Sequence, residues 1–168
     1  GVGLEPAIAE MTVDTVAGYH GMKPVRVGNQ AHEHLQHDVY GQIVLPLVQA
    51  FYDHRMIRPG TLEDFRALEK VGQRAFDMHD QTDAGLWEFR TIARVHTYSS
   101  VMCWAACDRL AKAARHLKLE DRAADWAEKA RIIRDRIEAE TYLEAEGHLA
   151  ASFGGTELDA SLLQLTDL

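Results

Sequence analysis

The chain has 168 residues, 46% hydrophobic and 26% charged, the make-up of an ordinary globular domain able to bury a core rather than of a disordered segment. Its 26 acidic residues outnumber 18 basic ones for a formal charge of -8, which repels phosphate backbones and anionic membranes and excludes nucleic acid as an expected partner. No stretch has the apolar length that a bilayer demands, and "GVGLEPAIAE" lacks the basic start and apolar centre of a signal peptide, so no membrane partner is expected either.

In chain order, "MTVDTVAGYHGMKPVRV" from Met11 to Val27 alternates β-branched and polar residues around a Gly-Tyr-His-Gly turn, the pattern of a short strand pair. Residues 1–27 therefore read as an opening segment and hairpin. From Gly28 and Asn29 to about His54, Leu35, Val39, Ile43, Leu47 and Phe51 recur at i+4, predicting one long helix, buried in its second half and kinked at Pro46. After Pro59-Gly60, Thr61 to Asp64 resembles a capping box, and Leu62, Phe65, Leu68, Val71 and Ala75 carry a second helix to about Asp80.

A third helix is expected from near Thr97 to about Leu117. A fourth covers "EDRAADWAEKARIIRDRIEAE", with Ala123, Ala127, Ala130 and Ile137 facing inward. "YLEAEGHLAASFGG" reads as a small hairpin, and Leu158 opens a fifth helix. The whole is an all-α chain with small β-hairpin insertions, its helices joined by short connections that favour antiparallel packing. It starts without methionine and stops inside the apolar run "LDASLLQLTDL", so a piece of a longer protein is expected, one domain's fragment of about four full helices and the start of a fifth over 28–168.

Cys103 and Cys107 lie one helical turn apart in an apolar segment, as reduced core thiols do; a reducing, cytoplasmic compartment fits them. His32, His34 and His37 in "HEHLQH" lack the H-E-x-x-H spacing of a helical metal site and read as a partly exposed helix surface, so no metal is expected. No nucleophile elbow, cysteine-histidine signature or phosphate loop is present.

"DQTDAGLWEFR", from Asp80 to Arg90, holds more than a turn requires. Asp80, Gln81, Thr82, Asp83 and Gly85 already supply polarity and turn formation, yet Trp87 and Glu88 are added. Glycoside hydrolysis needs one carboxylic acid to protonate the leaving oxygen and a second carboxylate on the other face of the sugar. An indole beside the acid is one way to keep it protonated, while Arg90, Arg94 and His96 either hold sugar hydroxyls or, if close, oppose that shift by favouring the carboxylate. On these residues alone, Glu88 is either such an acid or a plain capping or surface glutamate.

The segments "YHGMKPVRVGNQA", "QHDVYGQ", "GLWEFR", "HTYSSVMCWAACDR" and "FGGTELDASLL", from Gly18 to Leu165, resemble in order and spacing the bacterial members of glycoside hydrolase family 15. The resemblance implies part of an (α/α)6 barrel with its active site in the interhelical loops, and hydrolysis of α-glucosides from the non-reducing end with inversion. It implies Glu88 as general acid and Trp87 as a wall of the glucose pocket, with Arg90, His96, Arg26 and Asn29 at the same substrate-binding end. Dextrins, isomaltose-type glucosides and trehalose are all candidate substrates, and no cofactor is implied.

Two positions depart from the pattern: Ser100 stands in place of a lysine and Gln42 in place of a glutamate. The general base of the family falls in a later block, so the rest of a parent chain is expected to close the barrel, and the 168 residues alone are expected to be inactive. The alternative, from a different class, is a non-catalytic scaffold in which "ARHLKLEDRAADWAEKA" is an interaction hairpin.

Overall fold

In the computed structural model, which describes residues 3, 4 and 7–168, the strand pair expected before residue 28 forms as β1 (Met11–Val13) and β2 (Val25–Val27), antiparallel with Thr12 opposite Arg26. These strands belong to the first of two compact units, Gly1–Leu35 and Gln36–Leu168. Within that unit Asn29 caps a 3₁₀ turn at Gln30–Glu33, its side chain accepting from the Ala31 N–H at 2.9 Å.

The second unit is mostly helical. It contains α1 (Val39–Leu47), α2 (Leu62–Met78), α3 (Thr97–His116), α4 (Glu120–Thr141) and a second hairpin of β3 (Tyr142–Leu143) and β4 (His148–Leu149). α3 is the central element. It packs against α4 most extensively and also against α1 and α2, and its Cys103, Ala106, Cys107, Leu110, Ala113 and Ala114 are buried in the core with Val44, Phe65, Trp126 and Ile133. The two cysteines are free, as expected. Burial pushes the Cys107 thiol up to about 12 and raises that of Cys103 as well, so both remain protonated and inert at neutral pH.

α2 begins where its capping box predicts. The Thr61 hydroxyl accepts from the Asp64 N–H while Asp64 accepts from the Thr61 N–H, and Arg58 pairs with the same carboxylate at 2.6 Å. α4 buries Ala123, Ala130 and Ile137 as expected, and also Trp126 and Ile133. Ala127 is only partly buried.

Three expectations are corrected. The long helix from Gly28 to His54 is replaced by the Gln30–Glu33 turn, α1, and a 3₁₀ turn at Val48–Phe51. His34 is extended at φ -77 and ψ 132, and the His37 N–H donates to the Asp83 carboxylate instead of a helical carbonyl. Pro46 has no N–H for the ladder, and α1 tightens into the 3₁₀ turn two residues later. Its inward face also differs from the predicted row. A Cβ on Gly41 would lie 2.5 Å from the Met102 carbonyl oxygen, so the glycine lets α1 approach the α3 backbone. Val44 and Val48 follow it inward and Phe51 is buried as expected, while Leu35, Val39, Ile43 and Leu47 are left exposed.

The other two corrections are smaller. The fifth helix is a 3₁₀ helix, Ala160–Asp167, capped by Asp159. His37, expected on a partly exposed helix surface, is buried and stacked on Tyr40.

Candidate active site

The loop that joins α2 to α3 is closed at its base by Asp83. Its backbone exchanges both hydrogen bonds with Arg94, at 2.9 and 3.2 Å. Its carboxylate accepts from the Gly85 N–H at 3.1 Å, the His37 N–H at 2.8 Å and the Ser99 hydroxyl at 2.8 Å. The sequence gives Asp83 the role of a polar turn former. In the fold it is 2% exposed, and three donors converging on one carboxylate are what make its burial tolerable.

Beyond this neck the chain turns at Gly85, whose φ of +67 belongs to the left-handed region and whose missing side chain leaves room for the His96 ring, 2.8 Å from where a Cβ would stand. Gln36 donates to the Gly85 carbonyl at 3.1 Å, and that carbonyl also accepts from the Glu88 N–H at 3.2 Å. Glu88 follows in a left-handed conformation at φ 53. A non-glycine residue there carries local strain of the kind that collects at functional sites. Its side chain projects from an exposed residue, and among the described residues none pairs with its carboxylate.

Trp87 is half-exposed and does not act only as an apolar neighbour for Glu88. Its indole N–H donates to Asp159, 2.9 and 3.1 Å from the two carboxylate oxygens. Asp159 also accepts from the Ser161 N–H at 2.8 Å. Burial by itself would raise this carboxyl, but the bonds from Ser161 and Trp87 outweigh it and hold the group below the usual aspartate range.

The two loops are further joined by Phe153 N–H to the Val95 carbonyl at 3.0 Å and by an Arg94–Glu157 ion pair at 3.4 Å. Between them lies a recess of about 180 Å3 lined by Phe89, Ile92, Arg94, His96, Ser152 and Asp159. His96 stacks near Phe89, and its Nε2 is buried without a partner among the described residues. A larger apolar groove of about 490 Å3, around Phe51, Ile57 and Leu68, holds none of these residues.

Of the residues predicted from sequence, Trp87, Glu88, Arg90 and His96 thus share one loop. Arg26 and Asn29 belong to the first unit. Arg26 pairs with Glu10 at 2.6 Å and Asn29 caps the Gln30–Glu33 turn. Sequence reading missed Asp83, Ser99, Glu157 and Asp159 as parts of the site. "DAG" was a visible sign of an Asx turn at Asp83, and the serine after "LDA" was a sign of a cap at Asp159. Ser100 and Gln42, the two departures, are both engaged: the Ser100 hydroxyl donates to the His79 carbonyl at 2.6 Å, and Gln42 donates to the Tyr98 hydroxyl at 2.9 Å.

The arrangement presents an exposed acid on a strained turn, an anchored indole and a small recess with imidazole and guanidinium groups on its wall. These are parts suited to proton delivery onto a polar, uncharged ligand. The family model "Glycosyl hydrolases family 15" matches residues 11–168. The chain is 34% identical over 167 residues to a trehalase from Mycobacterium tuberculosis, covering 97% of this chain and 23% of that protein.

It is 33% identical over 153 residues to a trehalase from Thermoplasma acidophilum, covering 88% and 25%. It is 29% identical over 160 residues to trehalase 2 of Sulfolobus acidocaldarius, covering 95% and 27%. The chain spans about a quarter of the length of these curated relatives. No solved structure matches. With the family model matched over nearly the whole chain, the conclusion is that this chain belongs to glycosyl hydrolase family 15.

Proposed function

We propose that the protein carrying this chain is an inverting α-glucoside hydrolase acting on trehalose, in which Glu88 is the general acid and the general base is a carboxylate outside these 168 residues. The helices of α1 to α4 form part of an (α/α)6 barrel in this reading. Glu88 protonates the glycosidic oxygen as the bond breaks, and a water activated from the opposite face attacks the anomeric carbon. Trp87 offers an apolar face to the sugar ring. Arg90 and His96 bind hydroxyls.

The observation that carries the reading is the strained, exposed Glu88 on a loop anchored on both sides, at Asp83 and through Trp87 at Asp159. Among dextrins, isomaltose-type glucosides and trehalose, the relatives' names favour trehalose. Proton NMR of the first glucose formed from trehalose by the full-length protein tests both substrate and stereochemistry. Inversion at the attacked sugar gives β-glucose while the leaving sugar keeps its α configuration, so equal amounts of the two anomers are expected. Release of α-glucose alone contradicts inversion, and turnover confined to dextrins contradicts the substrate.

A further inference from the structure

We propose that Asp83 is a positioning residue for Glu88: one buried carboxylate holds the acid-bearing loop to the N-terminal turn of α3 and to the backbone entering α1. The inference rests on the reading of Glu88 as the general acid. Its own support is geometric. The Ser99 hydroxyl that donates to Asp83 is on the first turn of α3, and the His37 N–H immediately precedes α1. The Gly85 N–H lies three residues before Glu88.

A hairpin-like neck needs only the reciprocal Asp83–Arg94 backbone bonds to close. Of the three further bonds to the side chain, those from His37 and Ser99 orient the loop against the starts of two different helices and that from Gly85 closes its own turn, and a carboxylate has the lone pairs to accept all three. Neighbouring groups add to the argument. Asp38, buried nearby, leaves its Oδ1 without a partner among the described residues, and the three donors go to Asp83. The Cys103 thiol is directed elsewhere, to the His37 carbonyl at 3.4 Å.

Asp83 is buried, its side chain engaged by His37, Gly85 and Ser99, and therefore acts through Glu88. Moving a general acid by about 1 Å costs on the order of a hundredfold in rate. The loss should appear where protonation of the leaving group limits the reaction and should shrink where it does not.

The test compares the full-length wild type with Asp83→Asn and Ser99→Ala on trehalose and on α-glucosyl fluoride, whose leaving fluoride needs little protonation. Asp83→Asn is expected to lower kcat on trehalose by about a hundredfold, with KM changed much less, and to retain most activity on the fluoride. Ser99→Ala removes a single donor and is expected to give a loss of about tenfold with the same selectivity, recovered by Ser99→Thr. If Asp83→Asn does not fold, the serine pair decides.

Equal losses on both substrates, or no loss on either, overturn the positioning role. Failure of the underlying reading looks different: Glu88→Gln would then keep its turnover of trehalose whatever Asp83 does.

Discussion

The indole of Trp87 donates to the carboxylate of Asp159, 72 positions away in the chain, with its nitrogen 2.9 and 3.1 Å from the two oxygens. The contact ties the Glu88 loop to the start of the last 3₁₀ helix and fixes the orientation of the Trp87 indole. Trp87→Phe keeps an aromatic face but loses the donor, and Asp159→Ala loses the acceptor. Each is expected to lower kcat/KM of the full-length enzyme by about tenfold, the value of one hydrogen bond to a charged group. The double variant should lose less than the two single losses combined, because both remove the Trp87–Asp159 bond. Steady-state kinetics on the three variants checks this, and fully additive losses contradict it.

Gly85 sits at the hinge of the same loop. Alanine there must hold φ +67 and place a Cβ 2.8 Å from the His96 ring, at a backbone cost of roughly 1–2 kcal/mol before any clash. The loop, rather than the helical core, should give way. Gly85→Ala is therefore expected to reduce kcat/KM by about a hundredfold while thermal unfolding followed by far-UV circular dichroism changes little. A large drop in melting temperature at unchanged specific activity contradicts this.

Asp38 makes a pH prediction. Burial, and then the negative charge of Asp83, raise its carboxyl above the ordinary 3.8. The folded protein holds this proton more tightly than the unfolded chain does. Unfolding thus releases it, and stability falls as pH rises from 3.8 through the raised folded value. Below 3.8 both states are protonated and the effect vanishes. Asp38→Asn lacks the ionisation, so its stability relative to wild type should improve as pH goes from 3.8 to neutrality. Urea unfolding of both proteins across that range measures the difference, and a difference independent of pH contradicts the assignment.

These relationships also show what was readable in the chain and what was not. α2, α3 and α4 were legible because their signals are local: the Thr61–Asp64 box and apolar spacings of three and four residues. The Glu88 loop stood out by composition. Its anchors did not, since Asp83 collects donors from residues 37 and 99 and Trp87 reaches residue 159. The single long helix failed for the same reason. Asp83 takes the N–H of His37 from outside the segment, and Gly41 turns α1 toward Met102. The row Leu35, Val39, Ile43 and Leu47 has helical spacing but an exposed setting, a choice that periodicity alone does not make.

In the proposed reaction Glu88 gives up the proton. Glu88→Gln keeps the shape and polarity of the side chain but removes the acid, so in the full-length protein kcat on trehalose should fall by about 10²–10⁴ with binding of the sugar largely preserved. The most direct measurement is the initial rate of glucose release by this variant and by wild type under identical conditions. A collapse of turnover is the predicted result, and turnover within a few-fold of wild type would contradict the account.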